Sequence, residues 1–270
     1  MLTRNSAWWA QRWFLLEVFV LANLGFLTLD IYLAHSVNGF RREAEYIPLY
    51  FSAAAPVVLL IALALRPRWI TVWKDLGYFV GWLAILIGLA GVLFHLDSSF
   101  FYERTIRSLT YSAPFAAPLA YTGLGFLLLV NRMVDSNTVE WAQWILLLAL
   151  GGFTGNFVFS LSDHAENGFF SQLEWVPVIA SALAVGFLTS CLLSRPQRSF
   201  VRLCGAVLLL EAVVGLWGFV LHAERNLPGP SVHLFDNLIY GAPPMAPLLF
   251  PNLAALGLIA LWQLGDPVRA

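Results

Sequence analysis

Residues 76–94 read LGYFVGWLAILIGLAGVLF, an unbroken run without one charged side chain, bounded by Lys74 and Asp75 before it and by His95 and Asp97 after it. A stretch of about 20 mostly apolar residues is what a helix needs to cross the hydrocarbon core of a bilayer. Seven further segments, at 13–34, 47–65, 113–130, 141–162, 175–193, 203–221 and 244–264, have the same character. The pattern predicts an all-α, polytopic integral membrane protein with eight transmembrane helices. Six of the segments carry no charge, the first carries Glu17 and Asp30, and the seventh carries Glu211. The first is too long for a signal-peptide core and is followed by no small-residue cleavage site, so it is expected to be a retained helix.

Composition points the same way. Of 270 residues, 59% are apolar and 11% charged, where a soluble domain is about 25% charged. Sixteen acids against fifteen bases leave a net charge of −1, which excludes a nucleic-acid protein resting on a basic surface and excludes a disordered chain. The bilayer is the expected partner, with other membrane subunits as possible company.

Basic residues in short loops orient such a chain. Arg4, Arg12, Arg66, Arg68, Lys74, Arg132, Arg195, Arg198, Arg202 and Arg269 fall on one side, against Arg41, Arg42, Arg104, Arg107 and Arg225 on the other. The richer side is expected to be cytoplasmic and to hold both termini, in the cytoplasmic (inner) membrane of a bacterium. Trp8, Trp9, Trp13, Trp69, Trp73, Trp141, Trp144 and Trp262 form an interface belt there. Cys191 and Cys204 lie near the same reducing side, so no structural disulfide is expected. The outward loops carry nine acids, among them Glu43, Glu45 and Glu174, and all five histidines.

The chain also repeats itself. HSVNGFRREAEYIPLYFSAAA, from His35, and HAENGFFSQLEWVPVIASALA, from His164, share nine of 21 positions without a gap: His35/His164, Asn38/Asn167, Gly39/Gly168, Phe40/Phe169, Glu45/Glu174, Pro48/Pro177, Ser52/Ser181, Ala53/Ala182 and Ala55/Ala184. The same offset of 129 aligns YSAPFAAPL, from Tyr111, with YGAPPMAPL, from Tyr240, and GLAGVLFH matches GLWGFVLH at an offset of 127. Four helices per half is an even number, so the halves enter the membrane the same way up. Residues 1–133 and 134–270 are expected to be parallel repeats, related by a pseudo-two-fold axis along the membrane normal and forming one membrane domain.

Four histidines, His35, His95, His164 and His222, close odd-numbered helices at the outward face. Three begin a His-x-acid tripeptide, with Asp97, Glu166 and Glu224 as the acids. Imidazole and carboxylate together suit zinc, iron, manganese or oxidised copper, although positions i and i+2 diverge on a continuing helix. Gly91 and Gly218 stand four residues before His95 and His222, and Gly88 and Gly215 seven before, on the histidine's own face. Bare backbone there makes room for a flat group, such as haem b held by both imidazoles, or for a close-packed helix. The plainer alternative is a histidine set against helix C-terminal carbonyls. His233 has no partner in the first half and reads as an ordinary loop residue.

Glu211 lies mid-span, where an ionisable group is costly and is expected to face the bundle interior. Glu17 and Asp30 lie nearer helix ends, from which they can reach the interface. Pro118 and Pro247, and Asn252 after Pro251, break the fourth and eighth spans, as helices do where they line transport sites. No Walker loop, dinucleotide fingerprint, His-Glu-x-x-His or Gly-x-Ser-x-Gly occurs. The leading expectation is therefore a transition metal or haem held at the outward face in a redox or metal-handling role. A transporter using Glu211 and the broken helices is the second, and a scaffold subunit of a larger membrane complex the third.

Overall fold

The computed structural model describes residues 11–194 and 196–265. Arg4, Trp8, Trp9, Arg195 and Arg269, used above for orientation and the belt, lie outside them. The described chain is all helix and turn: α1 (Arg12–Ser36), α2 (Tyr46–Leu65), α3 (Ile70–His95), α4 (Phe100–Glu103), α5 (Ile106–Tyr111), α6 (Leu119–Met133), α7 (Val139–Glu166), α8 (Trp175–Leu193), α9 (Arg198–Asn226), α10 (Leu234–Tyr240) and α11 (Leu249–Gly265). Among the described residues seven helical segments are long and apolar enough to cross a membrane. The protein is a multi-pass, α-helical membrane protein.

The span expected at 113–130 differs. Residues 115–118 form turns, and the helix begins only at Leu119, to give the fifteen-residue α6. Pro114 and Pro118 explain this, since a proline ring contributes no N–H and clashes with the preceding turn. Pro118 instead stands at the N-cap.

Large apolar side chains face outward along the helices, among them Phe79, Trp82, Leu86, Leu93, Val213 and Trp217. In water such a surface would drive association, whereas in lipid it is the ordinary exterior. Inside, α1 packs on α2 and α6, α2 on α3, and α3 on α6, which closes one ring of four helices. A second ring joins α7 to α8 and α11, α8 to α9, and α9 to α11. The rings meet where α1 touches α11 and α6 touches α7, while α5 lies on α7 and α10 on α1. Phe115 beside Phe159 and Tyr32 beside Phe235 bring the histidine-bearing ends of both rings to one side.

Lipid tails are as apolar as leucine, so membrane helices associate through close packing and polar contacts. The α3–α6 contact uses Gly81 and Gly125: a Cβ on Gly125 would stand 2.5 Å from the Gly81 carbonyl oxygen.

The polar contact at the opposite end of the first ring is a buried ion pair. Arg132 of α6 donates from both terminal nitrogens to the two carboxylate oxygens of Glu17 on α1, each at 2.6 Å. Neither side chain is exposed. Asn131 adds a bond to the same carboxylate at 3.0 Å, and Arg132 Nε donates to the Trp73 carbonyl at 3.3 Å. The guanidinium lies 3.7 Å from the Trp73 ring centre. Gly77 leaves the room: a Cβ there would stand 2.2 Å from Arg132 Nε. Glu17 thus does not reach the interface as its position near a helix end suggested, because its partner comes to it. The residues 129 positions on, Leu146 and Leu261, are buried apolar side chains.

Removing one member strands a buried charge, a change that costs about 3–5 kcal/mol. Arg132→Ala and Glu17→Ala are each expected to lower the unfolding midpoint in mild detergent sharply. The double variant Glu17→Leu/Arg132→Leu, which copies the second ring, should recover most of the loss.

Candidate functional site

The two copies of the His-x-x-Asn-Gly-Phe segment fold into the same turn. After α1 the chain enters the left-handed region at Gly39 and Phe40, with φ of 68° and 52°, and after α7 at Gly168 and Phe169, with 70° and 49°. Glycine adopts this freely, whereas phenylalanine does so against steric resistance. The gain is an N–H turned back onto the helix end: Phe40 donates to the His35 carbonyl at 3.2 Å and Phe169 to the His164 carbonyl at 2.9 Å. Each ring then stacks on the aromatic residue that opens the next helix, Phe40 on Tyr46 at 4.7 Å and Phe169 on Trp175 at 3.9 Å.

This reversal carries an acid back to each histidine. The 3-10 turns Glu43–Glu45 and Gln172–Glu174 end at those acids. Glu45 lies 3.3 Å from Nδ1 of His35, and Glu174 lies 3.7 Å from Nδ1 of His164.

His95 and His222 are held by a different group with the same result. Nδ1 of His95 is 3.0 Å from the Pro114 carbonyl oxygen, and Nδ1 of His222 is 2.8 Å from that of Pro243. A carbonyl oxygen only accepts, so Nδ1 bears the proton and Nε2 of the neutral ring keeps a lone pair. In the second ring Asn226 fixes the acceptor: it accepts from the Ala242 N–H at 2.9 Å and donates to the Ala242 carbonyl at 2.7 Å. The rings of His35 and His95 lie 6.4 Å apart.

Of the acids in the His-x-acid tripeptides, Asp97 has partners of its own. Asp97 pairs with Arg42 at 3.3 Å and accepts from the Tyr102 hydroxyl at 3.4 Å. Among the described residues no hydrogen bond or ion pair joins Glu166 or Glu224 to a histidine. Their helices continue past the histidine, to Glu166 in α7 and to Asn226 in α9, so positions two apart point in different directions. Glu45 and Glu174 take the role, and their identity across the two repeats was the signal for it. His233 is exposed at the start of α10. Among the described residues no group of three His, Cys, Asp or Glu side chains converges as a metal cage.

Beneath His95 and His222 the glycines meet the proline turns. Pro118 Cβ would be 2.7 Å from a Cβ on Gly91, and Pro247 Cβ 3.2 Å from one on Gly218. A Cβ on Gly88 or Gly215 would press on backbone instead, at 2.9 Å from the Pro118 carbonyl oxygen and 2.5 Å from that of Pro247. Bare backbone here admits a helix. Further in, Asn252 of α11 accepts from Asn23 of α1 at 3.0 Å, a polar contact between the rings. Glu211 is fully buried, and among the described residues neither carboxyl oxygen has a partner.

These distances separate the two glycines of α9. Gly215→Ala would press a methyl group into backbone and is expected to cost about 1–3 kcal/mol. Gly218→Ala meets only the edge of a proline ring and should unfold within a few degrees of the parent in a detergent melt.

Comparison with protein-family models, with curated proteins and with solved structures gives no match.

Proposed function

We propose that the chain is an eight-span protein of the bacterial cytoplasmic membrane that holds transition metal at its outward face. His35 with His95, and His164 with His222, are the ligands, in a redox or metal-handling role. The eight spans, counting α6, form two parallel four-helix repeats, 1–133 and 134–270, with both termini cytoplasmic. Support for the repeat comes from contacts that recur in matched pairs: α1 on α11 with α7 on α6, α5 on α7 with α10 on α1, and the two left-handed turns. Support for the orientation is the excess of Lys and Arg on the side away from the histidines.

One observation carries the metal reading. Nδ1 of His95 and of His222 is held by a proline-turn carbonyl, and Nδ1 of His35 and of His164 faces a carboxylate, at 3.3 and 3.7 Å. Histidines that ligate metal have this arrangement, in which the outer partner fixes the tautomer and leaves the other nitrogen to the ion. Two imidazoles bridged by one ion, with metal–nitrogen distances of about 2.0–2.1 Å, have ring centres roughly 5–6.5 Å apart, and His35 and His95 lie at 6.4 Å. The proline rings over Gly91 and Gly218 favour a bare ion over haem.

The test is elemental analysis and absorbance of the protein purified in mild detergent, followed by titration with zinc, manganese, iron and copper. Bound metal is expected, with His95→Ala and His222→Ala each losing part of it. Glu45→Gln should weaken the first pair by about 10–100-fold, as loss of an outer partner does, whereas Asp97→Asn should leave it unchanged. A Soret band would replace the ion by haem. No metal, no such band and no response to added metal would overturn the proposal.

A further inference from the structure

Glu211 stands in the middle of α9 with no exposed surface and, among the described residues, no hydrogen-bond partner for either carboxyl oxygen. Its neighbours on the helix show what it faces. A Cβ on Gly257 of α11 would meet Leu208 at 2.6 Å, and one on Gly215 would meet Phe250 and Pro251. Residues 208, 211 and 215 share one side of a helix, so the carboxyl is enclosed along the α9–α11 contact.

Nothing packed against α9 supplies a counter-charge. Helices α8 and α11 contain no Lys, Arg or His, and their one titratable side chain is Cys191. The 246–248 turn has none, and α10 offers only Asp236 and Tyr240. On α9 itself Cys204 is the nearest titratable group. Arg202 and His222 lie nine and eleven residues away, about 13 and 16 Å along the axis. At the matching position of α3 stands Ala84, also buried, so the packing of such a helix does not call for an acid.

An isolated carboxylate in apolar surroundings is expensive, whereas the neutral acid is tolerated. A hard cation such as sodium or calcium would need a shell of oxygen ligands, and among the described residues no polar group is within hydrogen-bond reach of Glu211. A proton needs no shell. We infer that Glu211 is a reversible proton-binding site in the membrane interior, the group that a proton relay or proton-coupled carrier requires. The inference is independent of the metal reading, since protein stripped of metal keeps this site.

Infrared difference spectroscopy of the full chain in lipid nanodiscs tests it. The parent protein is expected to show the carbonyl stretch of a protonated carboxylic acid. That band should shift in D2O, fade between about pH 5 and about pH 10 as the proton leaves, and be missing from Glu211→Gln. Glu211→Asp should displace the band, which assigns it even if the glutamine variant does not fold. A spectrum without such a band at any pH would mean an ionised, partnered group and would overturn the proposal. So would a band unmoved by D2O and by pH, which would mark a permanently neutral structural acid.

Discussion

The buried pair between Glu17 and Arg132 holds the first ring of helices at the end away from the histidines. Its two short bonds join α1 to α6, its third reaches the backbone of α3 at Trp73, and Arg66 covers it by lying 3.7 Å from the Trp13 ring centre. Buried inside the protein neither ion can be left alone, so the pair admits one depth of α1 against α6 and a bare Gly77 opposite. The second ring does without this device and buries Leu146 and Leu261 at the matching positions. Apolar packing is thus enough to close such a ring. What the ion pair adds is a register, because a slip of one residue would strand both charges.

At the other end the prolines govern. A membrane helix must satisfy its own backbone, and Pro114, Pro118, Pro243 and Pro247 interrupt that satisfaction before α6 and α11. The Pro114 and Pro243 carbonyls find donors in His95 and His222. The broken helices and the histidines are therefore one construction. The break supplies the acceptor that fixes the imidazole, and the glycines of α3 and α9 let the proline turn come close enough to do so.

The two buried acids show how context decides what a carboxyl does. Glu17 receives three hydrogen bonds from charged and amide donors and is spent on structure. Glu211, equally buried, receives none. Both lie within apolar runs in the sequence, and only their neighbours in space tell them apart.

Much was legible before the fold. The bilayer sets the length of a crossing, so apolar runs announce the helices, and identity between two segments of one chain announces a shared turn through Gly39/Gly168 and Phe40/Phe169. The late start of α6 was harder to read, because two prolines at the head of an apolar run are compatible with a helix beginning before, between or after them. The acids that stand beside the histidines in space were harder to foresee. Asp97, Glu166 and Glu224 stand next to histidines in the chain, whereas Glu45 and Glu174 stand next to them in space, after a left-handed turn has reversed the direction. By itself the sequence determined that this is a membrane protein of apolar helices with its histidines gathered on one side, since those properties follow from local composition and from the thickness of lipid. Only the tertiary structure decided that Glu17 is neutralised, that Glu211 is not, and that His95 and His222 each have a nitrogen held by a proline-turn carbonyl. These depend on which helices touch, and helix contacts in a bilayer are chosen by close packing between residues more than a hundred positions apart.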